Sequence, residues 1–157
     1  MAQALFANQR ETNLASTLAL VEEVLRELGH DPAASRCTDD SALHAWRIEK
    51  GPAAARVSLV ARTEFTHLRV AAIVMTVDDK VDRPALHAQL LDRNLDLCGA
   101  AFATDRQHVL LVAERTTLDL DRSEIKDAIL RVMTYADDFG EMLVGKLGGS
   151  IGSGGEA

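Results

Sequence analysis

The chain has 157 residues, a formal net charge of −7, and a composition of 47% hydrophobic and 26% charged residues. This size and composition are typical of one globular domain with a hydrophobic core, and the acidic balance excludes the cationic surface that nucleic-acid binding needs. No apolar run reaches the roughly 18 residues of a membrane span, and two cysteines cannot make a disulfide framework. The first residues do not have the pattern of a secretory signal. We therefore expect a cytoplasmic protein.

The first predicted element is an amphipathic helix that begins at Asn13. Residues 1–12 are predicted to be a loose lead before it. The apolar side chains of the helix recur at helical spacing along one narrow stripe: Leu14, Leu18, Val21, Leu25 and Leu28. Gly29 stands where a left-handed helix end belongs, and Pro32 follows it. The helix is therefore expected to end there and to lead into a polar loop over residues 30–41.

Three strands are predicted next, because apolar and polar residues alternate with a period of two. The first strand covers residues 44–49 and the second covers residues 56–62. The third, residues 68–77, is apolar on both faces. Strands that are covered on both sides have this pattern, so the third strand is predicted to be central or to lie beneath a second layer.

The following helix is predicted to start at Asp82, a suitable N-cap, with Pro84 in its first turn. Its apolar residues form two sets about 140–180° apart at 100° per residue. These sets are Leu86, Leu90 and Leu97 on one side, and Ala88, Leu91 and Leu95 on the other. A surface helix of a monomer needs only one apolar face. The second side is therefore predicted to be covered by another molecule.

A hairpin and a long helix complete the pattern. A strand of small residues over 99–103, a tight turn over 104–107 and a return strand over 108–114 predict the hairpin. Asp121 and Glu124 have capping-box spacing at the start of the last helix. The apolar residues of that helix stay on one line: Ile125, Ile129, Val132, Ala136, Phe139, Leu143 and Leu147.

The predicted element order is therefore α-β-β-β-α-β-β-α. Because most strand links are short, this order defines an α+β domain with a five-stranded, mainly antiparallel twisted sheet and three helices. The single domain is predicted to cover residues 13–147. Residues 148–157, rich in glycine and serine, are predicted to be a flexible tail.

The sequence contains no recognisable catalytic constellation. Residues 148–152 read G-x-S-x-G, but a helix precedes them and no histidine follows, which excludes a nucleophile elbow. The five histidines have no partner at metal-ligand spacing, so we expect neither a metal nor a cofactor. Arg56, Arg62 and Arg69 are expected on one region of the strands. They either solubilise the sheet or receive an acidic segment of a partner.

Three segments carry a resemblance to a known family. Residues 94–103 read NLDLCGAAFA, residues 109–114 read VLLVAE, and residues 118–121 read LDLD. With the element order, these segments are similar to the type III secretion chaperone-like superfamily, which includes the CesT-type secretion chaperones and the YbjN-type domains. The resemblance covers about residues 13–147.

The resemblance implies a small acidic cytoplasmic homodimer without catalytic activity, in which each protomer binds an extended segment of a secreted effector. It also implies that the middle helix and the strand after it, residues 86–97 and 99–103, form most of the dimer. We therefore expect the dimer interface at Ala88, Leu91, Leu95, Gly99 and Ala101. Two alternatives remain open: a YbjN-like regulatory domain that binds a regulator or a small ligand, and an enzyme that uses His87 or His108.

Overall fold

The computed structural model describes residues 2–63 and 65–152, which form three helices and six strands. The helices are α1 (Ala2–Glu27), α2 (Arg83–Asn94) and α3 (Arg122–Leu147). The strands are β1 (His44–Lys50), β2 (Ala53–Ala61), β3 (Thr66–Thr76), β4 (Ala101–Asp105), β5 (His108–Thr116) and β6 (Ser150–Ile151). The predicted α+β class and the order of the long elements are confirmed, and β6 is a short addition to the five predicted strands.

The sheet is antiparallel throughout, with the strand order β1-β2-β3-β5-β4. β3 lies between β2 and β5, which confirms the central position that its two apolar faces predicted. Leu68, Val70 and Ala72 are each at most 2% exposed, whereas Arg69 and Ala71 between them are half-buried. Since side chains of a strand alternate between its faces, the sheet has a core face and an outer face.

The last helix, α3, packs on the core face across β2, β3 and β5 and also contacts α1. Its predicted capping box is present. The Glu124 amide donates to Asp121 Oδ1 at 2.9 Å, and the Asp121 amide donates to Glu124 Oε2 at 3.1 Å. These bonds satisfy N–H groups that have no partner within the first turn. The buried residues of α3 include five of the seven residues of the predicted stripe, whereas Phe139 and Leu147 are half-buried. The buried residues are Ile125, Ile129, Val132, Met133, Ala136, Gly140 and Leu143.

The first helix begins at Ala2, so residues 2–12 are helical and not the loose lead that the sequence predicted. The apolar stripe marks only the part of α1 that meets the core, and no glycine or proline lies before it to break the helix. Asn13 fastens α1 to the segment after β5. Its Nδ2 donates to Thr117 O at 3.0 Å, and its Oδ1 accepts from Thr117 Oγ1 at 2.6 Å.

Residues 148–152 were predicted to be flexible, but they fold back onto the sheet. β6 pairs with Met75 and Thr76 at the end of β3. The glycine-rich sequence permits this close approach, because Gly149 has a φ of +82° and a Cβ there would lie 2.5 Å from Thr76 O. Residues 153–157, the rest of the predicted tail, lie outside the described residues.

The boundaries around the second helix differ from the predicted ones. Asp82 caps α2 as expected, and its side chain accepts a first-turn amide proton at 3.1 Å. However, α2 ends at Asn94, and β4 begins only at Ala101. Gly99 lies between them with a left-handed φ of +67° and turns the chain into the strand. The hairpin turn lies within the predicted range but is shorter, because only residues 106 and 107 separate the two strands, and Arg106 has a φ of +45°.

Candidate functional site

The second helix has one buried side and one exposed side. Leu86 and Leu90 are 1% and 4% exposed and belong to the hydrophobic core. Leu91 and Leu95 are 69% and 86% exposed, the highest values among the exposed large hydrophobic side chains of the described residues. The two apolar sets seen in the sequence are therefore separated as expected, and no described residue covers the second set.

The remaining residues predicted at the dimer interface are exposed as well. We call the predicted set the α2–β4 face: Ala88, Leu91, Leu95, Gly99 and Ala101. Asn94 fastens the end of α2 to the outer edge of β4, because its Oδ1 accepts from the Phe102 amide at 2.7 Å and its Nδ2 donates to Phe102 O at 3.4 Å. The side-chain amide thus takes the place of a neighbouring strand. The sequence did not indicate this role of Asn94, because Asn94 and Phe102 meet only in the folded chain.

The three predicted arginines line one cavity of about 430 Å³ on the outer face of the sheet. They are not free cations. Arg62 donates to both Glu114 carboxylate oxygens at 2.7 and 2.8 Å, and Arg69 donates to the same carboxylate at 2.9 Å. Arg56 donates to Asp39 at 3.2 Å. The two carboxylates lie far along the chain from the arginines they neutralise, so the residue pattern alone did not indicate them.

Replacing Glu114 by Gln is expected to make folding less sensitive to acid. The hydrogen bond from Arg62, with help from Arg69, holds the pKa of the Glu114 carboxyl below its ordinary value. Ionised Glu114 therefore stabilises the folded state above the pKa it has in the unfolded chain, and this contribution is lost as pH falls through the lower folded pKa. Between about pH 7 and about pH 3, wild type should lose more free energy of unfolding than Glu114→Gln in urea titrations.

The control for this measurement is Glu141→Gln, which removes an exposed carboxylate from α3. This variant should lose as much stability on acidification as wild type. An equal loss in Glu114→Gln would contradict a stabilising role for the arginine pair.

The outer edge of β1 is covered by the loop that precedes it. Residues 35–37 run beside the strand and exchange backbone hydrogen bonds with Ala45 at 3.0 Å and Arg47 at 2.8 Å. The Arg36 guanidinium lies 4.7 Å from the ring centroid of Trp46, which is fully buried. An extended partner therefore finds no free backbone at this position of β1.

The histidines do not form a reactive cluster in the part of the chain that the structure describes. His87 is exposed on α2, while His108 is half-buried at the start of β5. His44 lies 3.2 Å from Arg36, and burial together with this guanidinium lowers its pKa. Residues 2–63 and 65–152 contain no group of three or more side chains able to hold a metal ion. Within the same ranges, no helix has the length and apolar character to cross a membrane.

Several solved structures share this fold. A chain of the ExsC–ExsE complex aligns with a TM-score of 0.62 and 16% identity, over 82% of this chain and 94% of that one. A chain of the HopA1–SchA chaperone–effector complex aligns with a TM-score of 0.59 and 16% identity, over 83% and 97%. The Yersinia pestis type III secretion chaperone SycH, in complex with a fragment of YscM2, gives a TM-score of 0.53 and 19% identity, over 80% and 97%.

The fold is thus that of the type III secretion chaperones, as the sequence resemblance implied. A comparison with curated protein sequences gives no significant match. The family model described as T3SS (YopN, CesT) and YbjN peptide-binding chaperone 1 matches residues 15–152. The chain belongs to this family.

Proposed function

We propose that the protein is a non-catalytic, cytoplasmic homodimer that holds an extended segment of a partner protein. Membership in a family of peptide-binding chaperones supports the binding activity. The similarity to structures of chaperone–effector complexes supports a protein as the partner. The observation that carries the dimer is the exposed pair Leu91 and Leu95, on α2 and at its C-cap, while the opposite side of α2 lies in the core.

The physical reason for a dimer is the apolar area that the α2–β4 face leaves in water. Removing a leucine side chain from water stabilises a complex by about 1.5–3 kcal/mol. A two-fold axis uses the same patch on both protomers, so each exposed leucine contributes twice. Ala101 has a small side chain and lets the second protomer approach the backbone closely. The proposed interface therefore combines two large apolar side chains, Leu91 and Leu95, with small residues around them.

Leu95→Glu is expected to convert the dimer into a folded monomer. The substitution would place a carboxylate in an apolar interface twice, and burying an unpaired charge is far more costly than losing one leucine contact. Light scattering should give twice the 17.0 kDa chain mass for wild type and the single mass for the variant. Circular dichroism should be unchanged, because Leu95 is 86% exposed within one chain. Leu91→Glu is expected to act in the same way.

Leu43→Glu is the matched control, since Leu43 is 48% exposed but lies outside the α2–β4 face. This variant should remain dimeric. A monomeric wild type at micromolar concentration would rule out the proposed dimer.

The partner can be identified by its state in the complex. Purification of the tagged protein from a native lysate should recover a polypeptide with a protease-sensitive region that becomes protected only where it contacts the protein. Recovery of a compact folded regulator or of a small ligand would instead favour the YbjN-like alternative.

A further inference from the structure

The strand β5 extends beyond its neighbour β4. It pairs with β3 from His108 to Thr116, but its ladder with β4 ends where Ala101 pairs with Val112. Residues 113–116 therefore have no strand beside them on this side, among the residues described. A strand edge of this kind presents backbone donors and acceptors that another extended chain can use.

The backbone groups that face this gap can be assigned from the alternation of the ladder. A two-residue turn closes the hairpin at the pair of Asp105 and His108, and the Thr117 amide donates to Thr66 on β3. Even-numbered residues of β5 therefore direct their N–H and C=O groups toward the side of β5 on which β4 lies. We call this position in the sheet the β4 row. Beyond the end of β4, these residues are Glu114 and Thr116.

The β4 row is vacant here because of Gly99. Its left-handed φ of +67° turns the chain out of the row just before the strand begins. A Cβ at this position would collide with the Arg131 guanidinium, which crosses Gly99 from α3. Gly99 thus leaves the β4 row open beside residues 113–116 and leaves space for the Arg131 guanidinium to reach this position.

A cavity of about 380 Å³ lies beside the gap, with β5 and α3 as its walls. Its apolar lining comes from the core-facing side chains Leu68 and Ala113 and from Ala128. Arg115 at the cavity is already paired with Glu124 at 2.5 Å. Arg131 has no hydrogen bond or ion pair with any described residue, so its charge remains open to a ligand.

The other strand edges described above are occupied in part by the chain itself. Residues 35–37 cover β1, Asn94 binds the outer edge of β4, and β6 pairs with the end of β3. The gap at residues 113–116 differs from these edges because it combines unpaired backbone, apolar lining and an unpaired cation. These are the features that an extended peptide with a carboxylate side chain would recognise.

We propose that an extended partner segment fills the vacant β4 row beside residues 113–116, with one acidic side chain bound to Arg131. The segment exchanges backbone hydrogen bonds with Glu114 and Thr116, and its core-facing side chain is small and apolar, to fit against Leu68 and Ala113. Asp127, which lies one helical turn from Arg131, disfavours a second acidic residue. This inference rests on the proposed peptide-binding function and specifies where and what the protein binds.

The test uses a short fluorescein-labelled peptide of alternating Val and Thr with one central Glu, titrated against the full chain. Fluorescence anisotropy should show binding that Arg131→Ala weakens by about tenfold, the usual effect of one charged hydrogen bond. Lys146→Ala, which removes an exposed cation from the same helix, should leave the affinity unchanged. Arg131→Glu should prefer the same peptide with Lys in place of Glu.

Two further measurements connect binding to the backbone of β5. Methylating alternate amide nitrogens of the peptide should abolish binding, because it removes donors from one edge of the strand. Amide exchange followed by NMR should slow at Glu114 and Thr116 when the unmethylated peptide is added.

The proposal is overturned if no peptide of the set binds, if the methylated peptide binds equally well, or if amide protection appears at another strand. It is also overturned if the two amides are protected by raising protein concentration alone, since a second copy would then fill the row. Repeating the titration with Leu95→Glu separates this site from the dimer. Peptide binding by the monomeric variant would support the site even if the dimer proposal failed.

Discussion

Replacing Ile129 by Ala is expected to lower the free energy of unfolding by about 2–5 kcal/mol, the usual cost of truncating a large buried aliphatic side chain. Ile129 is 0% exposed and lies on the buried stripe of α3, the helix that packs across β2, β3 and β5. The truncation would leave a cavity where several elements meet, and close-packed surroundings refill such a space only in part. Urea denaturation followed by circular dichroism measures the change.

Asp138→Ala is the control on the same helix, because Asp138 is exposed in the middle of α3. Its effect should stay within about 0.5 kcal/mol, as for most surface substitutions. If Ile129→Ala lowered the free energy of unfolding no more than Asp138→Ala, packing of α3 on the sheet would not be a main source of stability.

Thr117→Val is expected to destabilise the protein by about 1–3 kcal/mol, because it leaves the half-buried side-chain carbonyl of Asn13 without its donor. Thr117 is 2% exposed, and its Oγ1 donates to Asn13 Oδ1 at 2.6 Å. Valine keeps the shape of the side chain but cannot donate this hydrogen bond. The loss should appear as earlier unfolding in urea and as faster amide exchange in the part of α1 near Asn13.

Thr117→Ser serves as the comparison, since it keeps the hydroxyl and removes only a methyl group. It should retain most of the stability that Thr117→Val loses. Equal destabilisation by both variants would mean that packing of the methyl group, not the hydrogen bond, fastens α1.

The long helix and the central strand could be predicted because their information is local. The stripe of α3 repeats at helical spacing, and its capping box lies within four consecutive residues, 121–124. β3 could be placed at the centre of the sheet since a strand with two apolar faces needs cover on both sides. The exposed side of α2 followed from the same periodic pattern, which separated Leu91 and Leu95 from the core residues.

Most of the features that escaped prediction depend on contacts that form only when the chain folds. Glu114 meets Arg62 and Arg69 across two strands, and Asn94 meets the edge of β4 only once the hairpin has formed. β6 pairs with β3 because Gly149 lets the two backbones approach closely. From composition alone, a glycine-rich segment is instead predicted to be flexible. The start of α1 was missed since a helix can continue beyond the residues that it buries.

The contact between Arg36 and Trp46 makes intrinsic tryptophan fluorescence a useful probe of this protein. Trp46 is the only tryptophan, is 0% exposed, and has no hydrogen-bond partner for its Nε1 among the described atoms. An indole in such dry surroundings emits at short wavelength, and the emission shifts to longer wavelength when water reaches the ring. The Arg36 guanidinium stacks on this ring from the loop beside β1. Intrinsic fluorescence can therefore follow both global unfolding and detachment of this loop without an added dye.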